Sequence, residues 1–189
     1  MKRAWLAALL LLTGLAYPFV VYVAWRQGAA RWLMLALAAL WLLRALSSPA
    51  GQPGARLLPV LALGFCIAAA LSGQPALLLW YPVLINLAFC AVFALSLRSG
   101  TPVVEKLARV HEPDLPPAGV RYTRRVTQVW TAFFALNALC AAAITVFASL
   151  TWWTAYNGAI SYGLIGLLFA VEWVVRPYAR RRGGESWTG

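Results

Sequence analysis

The sequence predicts an all-α protein: a polytopic membrane helix bundle of six transmembrane helices, with an amphipathic cytoplasmic segment between helices 4 and 5. Three observations carry this expectation. The 189 residues are 62% apolar and 11% charged, with a mean hydropathy of +0.74, whereas soluble domains are about 45–50% apolar and about 25% charged. Uncharged runs recur at lengths close to the roughly 20 residues that a bilayer span requires. The basic residues stand between those runs, as they do in membrane proteins with cytoplasmic loops. A protein core cannot absorb so much apolar surface, so lipid is expected to act as solvent for much of it. The net charge of +11 would suggest a nucleic-acid partner in a soluble chain. Here it follows the loops, and no module of interleaved aromatic and basic residues is present, so no nucleic acid is expected.

The elements follow in order. After Met1-Lys2-Arg3, the run Ala4 to Trp25 carries no charge. It is longer than the apolar region of about 7–15 residues in a signal peptide, and Tyr17-Pro18 stands where a small-residue cleavage site would fall. It reads as a retained first span, kinked towards its far end by Pro18. The second, Trp32 to Leu46, is cut short by Arg44 and spans only if Arg31 and Arg44 snorkel to opposite interfaces. Ser47 to Gly54 reads as a loop, Leu57 to Leu71 as a short third span with Arg56 able to snorkel, and Gly73-Gln74-Pro75 as a tight turn. Ala76 to Leu97 is the fourth span, Gln128 to Leu150 the fifth, and Tyr156 to Val175 the sixth. Arg176-Pro177 closes the last helix, and Arg180-Arg181-Arg182 opens a polar tail. The chain is read as one integral membrane domain, with helices 1–4 in 1–97, a basic cytoplasmic loop in 98–127, helices 5 and 6 in 128–176 and a cytoplasmic tail in 177–189.

Charge sets the orientation. Of the sixteen Lys and Arg residues, only Arg26 and Arg31 fall on one side of this map. The positive-inside rule therefore puts both termini and the central loop in the cytoplasm. Omitting the second span gives five spans and moves only the N-terminus outside. Trp25, Trp80, Tyr81, Trp152, Trp153 and Tyr156 are expected near the outer interface, and Trp130, Trp173 and Tyr178 near the inner one.

The polar chemistry is concentrated in Arg98 to Asn137, which holds six of the sixteen basic residues, three of the five acids and the one histidine. Val103, Val104, Leu107 and Val110 recur at helical spacing, so this segment forms a short amphipathic helix suited to the inner leaflet. Leu115-Pro116-Pro117 breaks it, and the next helix is expected to begin near Ala118. Arg121, Arg124 and Arg125 share one side of its first turns, as residues that bind anionic lipid headgroups or that fix topology would. Thr123, Thr127, Trp130, Phe134 and Asn137 form one stripe, and an amide in a span should face protein or a lined cavity. That stripe serves either interhelical hydrogen bonding or a substrate groove. On the last span, Ala159, Gly163, Gly166 and Ala170 form a small-residue stripe for close helix packing, including in a homo-oligomer. Asn157, Ser161 and Glu172 occupy another face. Glu172, the one acid in a span, is expected to pair with Arg176 or, across helices, with Arg124 or Arg125. Cys66, Cys90 and Cys140 lack paired spacing. His111, among Glu105, Glu112 and Asp114, matches no standard ligand spacing, so neither a metal nor a cofactor is expected.

Pro102-Val103-Val104-Glu105-Lys106-Leu107, Leu115-Pro116, Tyr122-Thr123-Arg124-Arg125-Val126-Thr127, Trp130, Phe133-Phe134, Asn137 and Tyr156-Asn157-Gly158 resemble an uncharacterised family of small bacterial inner-membrane proteins. Its members are associated with gene clusters for aryl-polyene and related lipid synthesis. More distantly, the same half is similar to the intracellular septation protein A family. The resemblance spans about Pro102 to Arg176. It implies an inner-membrane protein of the cell envelope with lipid or membrane-protein partners from envelope synthesis or division, and it transfers no catalytic residue. The expected function is a non-enzymatic accessory factor that binds partners or lipid-linked intermediates. The alternative is a small transporter or lipid-modifying enzyme using the polar faces of helices 5 and 6.

Overall fold

Backbone N–H and C=O groups that cannot reach water must be paired within the chain, and helices achieve this inside a single segment. The computed structural model describes the backbone of residues 2–47, 53–98 and 100–182, and the side chains of 14–47, 59–98 and 100–178. Among them there is no strand. The helices are α1 (Lys2–Arg26), α2 (Ala30–Leu46), α3 (Pro53–Ser72), a 3-10 segment (Pro75–Trp80), α4 (Tyr81–Arg98), α5 (Val103–His111), α6 (Pro117–Phe147), α7 (Leu150–Ala155), a π turn (Tyr156–Ile160) and α8 (Ser161–Arg182). Among the described residues, three stretches are long and apolar enough to cross a membrane: Pro75–Arg98, Pro117–Phe147 and Leu150–Tyr178. Pro59–Ser72 is apolar but shorter.

The boundaries differ from expectation in three places. Of the loop expected over Ser47 to Gly54, residues 48–52 lie outside the described residues, and Pro53 and Gly54 open α3 instead. Proline suits that first position because its missing N–H has no partner to lose there. The last helix does not wait until Tyr156. Ser149 caps α7, its hydroxyl accepting the Trp152 N–H at 3.5 Å, so the helical path resumes at Leu150. Nor does it stop at Arg176-Pro177, since α8 contains Pro177 and runs on to Arg182. Proline's φ is already helical and it forfeits only its own bond to Trp173, a loss the turns on either side absorb.

The contacts group into two compact units, 1–81 with 143–159 and 82–142 with 160–189. In the first, α2 and α3 pack together. α2 buries Ala30, Met34, Leu37 and Ala38, and α3 buries Ala62, Cys66, Ala69 and Ala70. The offsets of four, seven and eight along each helix keep each set on one face, and the small side chains let the backbones approach closely. Tyr17 and Val21 of α1 complete this core. α1 ends at Gly28 (φ 68°), where the Ala29 N–H reaches the Ala24 carbonyl at 2.8 Å and the Gly28 N–H reaches Trp25 at 3.3 Å. That paired C-cap needs a left-handed residue, which glycine supplies without a Cβ clash.

The 3-10 segment is the organising irregularity of this unit. Pro82 has no N–H to offer the Leu78 carbonyl, and the turn before it is wound tightly. Side chains satisfy the carbonyls there. The Tyr17 hydroxyl donates to Leu78 at 2.6 Å, and the Trp153 indole N–H and the Thr145 hydroxyl donate to Leu79 at 3.1 and 3.2 Å. The Trp41 indole donates to the Tyr81 hydroxyl at 2.9 Å, and the Tyr17 ring lies 4.6 Å from that of Tyr81. Trp153 is therefore a core residue, 1% exposed, and not the interfacial anchor the aromatic pattern suggested. Its N–H is consumed by protein, which leaves it no reason to sit among headgroups.

Candidate functional site

The second unit holds most of the residues that the sequence singles out. α5 follows a four-residue connection from α4, and its N-terminus has no cap of its own, because Pro102 occupies the capping position. Two neighbouring helices supply caps instead. The Val103 N–H donates to Ser96 Oγ of α4 at 3.1 Å, and the Val104 N–H to Thr127 Oγ1 of α6 at 3.4 Å. Each hydroxyl also donates to its own helix, Ser96 to Phe93 at 2.7 Å and Thr127 to Thr123 at 2.8 Å. A hydroxyl with one proton and two lone pairs can do both.

Inside α5, Glu105 is only 5% exposed. Arg109, one turn on, meets its Oε1 from Nε and from Nη2, each at 2.9 Å, while Nη1 donates to the Pro113 carbonyl at 2.9 Å. The buried charge is thus paired and the turn after the helix is tied to the same guanidinium.

α6 starts at Pro117, one residue before the expected Ala118 and with proline at its favoured first position. Arg121, Arg124 and Arg125 are exposed on its first turns. Arg124 donates from Nη2 to the Leu97 carbonyl at 3.1 Å, placing a cation at the negative C-terminal end of α4. The stripe Thr123, Thr127, Trp130, Phe134 and Asn137 is buried throughout. Asn137 Nδ2 donates to Asn86 Oδ1 at 2.9 Å and to Ser161 Oγ at 2.8 Å, joining α4, α6 and α8. Asn86 in turn donates to the Pro82 carbonyl at 2.8 Å. Trp130 packs beside Phe133, Phe134 and Phe169, so it too is a core residue rather than a residue of the inner aromatic belt. Within this stripe, Thr127 and Asn137 make hydrogen bonds between helices.

Glu172 does not pair with Arg124 or Arg125. Its interhelical partner is Tyr122, whose hydroxyl donates to Oε1 at 3.2 Å, and Arg176 Nε stands 3.5 Å away at ion-pair distance without hydrogen-bond geometry. Arg124 is engaged at the end of α4 instead. Sequence reasoning missed Tyr122, because its partner Glu172 lies 50 residues away and no local spacing links them. It missed Asn86 and Ser96 because isolated polar residues in apolar runs carry no periodic signal.

Two further groups were expected at packing or binding positions. Ala159, Gly163, Gly166 and Ala170 are exposed, and a Cβ added at Gly163 or Gly166 would meet nothing within 4 Å. Close intrachain packing of that stripe is therefore corrected: the adjoining polar face, with Ser161, is the one turned inward. Asn157 is buried in the π turn, where its amide donates to the Trp153 carbonyl at 3.0 Å. Among the described residues, Cys66, Cys90 and Cys140 are free, and no three His, Cys, Asp or Glu side chains converge as metal ligands do.

The fold and these residues define an all-helical protein whose long apolar helices fit a membrane, with buried hydrogen bonds between helices and a cationic face at the start of one of them. No protein-family model, curated protein or solved structure matches the chain.

Proposed function

We propose that this protein is a multi-pass protein of the bacterial inner membrane, with six spans and both termini in the cytoplasm. It acts as a non-enzymatic accessory factor of envelope or polyene-lipid synthesis. Its ligands are anionic lipids or lipid-linked intermediates, held at the arginine face of α6, and membrane proteins of the same process are its partners. One observation carries this reading. Arg121 and Arg125 are exposed, and Arg124 is steadied by Leu97, at the start of a 31-residue apolar helix, where cations meet headgroups. The buried polar groups of α6 point away from a transport path or a reaction, because Thr127 and Asn137 are committed to bonds between helices.

Two experiments test it. Native mass spectrometry of the purified protein should detect bound anionic phospholipid. Each arginine near a charged leaflet contributes about 1 kcal/mol, so the double variant Arg121→Gln/Arg125→Gln should weaken that binding by roughly thirtyfold. Unchanged lipid occupancy in a folded double variant would remove the arginine face from the proposal. Topology is read separately, with reporters fused after Gly100 and after Gly189. Both are expected to report cytoplasm, and a periplasmic signal from either defeats the orientation. A reporter at the N-terminus distinguishes six spans (inside) from five (outside).

A further inference from the structure

α5 is inverted for a short surface helix, with its carboxylate inside and two of its apolar side chains, Leu107 and Val110, outside. Glu105 is buried, while Leu107 is 63% and Val110 76% exposed. Projected down the helix axis at about 100° per residue, Val110 and Leu107 form the outward face, with the half-buried Val103 between them. Lys106 and His111, both exposed, flank it on either side. Helices that lie in a membrane interface have this arrangement, an apolar strip with cations at its edges.

We propose that this outward face of α5 lies in the headgroup–acyl boundary of the leaflet at which α4 ends and α6 begins, with anionic lipid as its occupant. The inference rests on the membrane reading of α4 and α6 given above. Position supports it. α4 ends at Arg98, α5 begins at Val103, and the first two amides of α5 are bonded to Ser96 and Thr127. A helix bonded to the last turn of α4 and to the first third of α6 lies close to the level at which α4 ends. Rotation supports it as well. The bonds from Val103 and Val104 to Ser96 and Thr127 hold the helix against its neighbours with Glu105 buried, which leaves Leu107 and Val110 facing outward.

Charge selects the occupant. Lys106 is exposed, as are Arg98 at the end of α4 and Arg121 and Arg125 in the first turns of α6, against the exposed Asp114 in the following turn, and an excess of cations favours an anionic leaflet. The apolar strip is small, but covalent tethering at both ends supplies the local concentration that a free peptide of this length would lack.

Site-directed spin labelling tests the placement. The full-length chain carrying Cys66→Ala, Cys90→Ala and Cys140→Ala is labelled singly at Leu107→Cys, Val110→Cys, Leu136→Cys and Asp114→Cys. Each is placed in nanodiscs of phosphatidylcholine with one-third phosphatidylglycerol. Labels at 107 and 110 should collide with dissolved oxygen several-fold more than with a water-soluble nickel chelate, as the label at exposed Leu136 of α6 should. The label at Asp114 should show the reverse. Nickel access at 107 and 110 equal to that at 114 would overturn the inference, and so would exclusion of both reagents, which would mean that a protein surface or a second copy covers the helix. If the label at 136 is also nickel-accessible, the membrane reading of α6 falls and the inference with it. If 136 behaves as lipid-exposed while 107 and 110 do not, the inference alone falls. Should the cysteine-free chain not fold, a benzophenone amino acid at Val110 in the otherwise unaltered protein gives the same decision. Crosslinking to lipid supports the placement and crosslinking to protein overturns it.

Discussion

Trp153→Ala is expected to abolish accumulation of the folded protein. Among the described residues the indole is the largest fully buried side chain, and it lies edge-on to Tyr17 with ring centres 6.4 Å apart. Its N–H is shared between the Leu79 carbonyl and Thr145 Oγ1, at 3.1 and 3.2 Å. Truncating a buried tryptophan costs about 3–5 kcal/mol, a large part of the roughly 5–15 kcal/mol that holds a typical domain together. Trp152, one residue earlier and 66% exposed, is the internal control, and Trp152→Ala should behave as wild type. Trp153→Phe divides packing from bonding. The Leu79 carbonyl keeps its bond from Thr145, so the loss should be about 1 kcal/mol. Thermal unfolding in detergent, followed by monodispersity on size exclusion, ranks the three. Near-wild-type stability in Trp153→Ala would mean that the aromatic core around the 3-10 segment does not hold the first unit together.

The second large effect is asymmetric. Arg109→Met leaves Glu105 as a buried carboxylate with its partner gone, and breaking a buried ion pair from one side costs about 3–5 kcal/mol. Glu105→Gln should cost far less. The Arg109 side chain is 38% exposed, against 7% for that of Glu105, so the cation left behind reaches water while the anion does not. Because α5 is short and at the surface, the cost in Arg109→Met appears as local unfolding and not as global collapse. Hydrogen exchange over residues 103–111 reads it: protection should disappear in Arg109→Met and persist, reduced, in Glu105→Gln. A larger loss in Glu105→Gln than in Arg109→Met would show that Glu105 is not the buried partner.

The helices themselves were legible because long apolar runs bounded by Gly, Pro and Arg carry their own signal. α5 was found from four aliphatic positions, and the buried stripe of α6 from a spacing that a helix must place on one face. Which way a face points was not legible. The spacing of Val103, Leu107 and Val110 defines an apolar strip but does not say that Glu105 is buried behind it. The small residues at Gly163 and Gly166 signal that close approach is allowed, and in this chain the neighbour is met by the face carrying Ser161. Tyr17, Tyr122, Asn86 and Ser96 act through partners 61, 50, 51 and 7 residues away. Those pairings are set by how helices pack, and no local pattern encodes them.

The borrowed caps of α5 also fix an order of events during synthesis. An isolated helix of nine residues is not stable in water, since about 12–15 are needed even in favourable sequences. Ser96 leaves the ribosome before α5, but Thr127 lies 23 residues beyond Val104. At about 5–20 residues per second, the segment waits a second or more for its second anchor. During that interval it is an unstructured basic strand, and it becomes a helix only when α6 arrives beside α4. Formation of α5 thus marks the moment at which these two neighbours have met, and a nascent chain arrested before Thr127 would expose the segment to proteases that the finished protein resists.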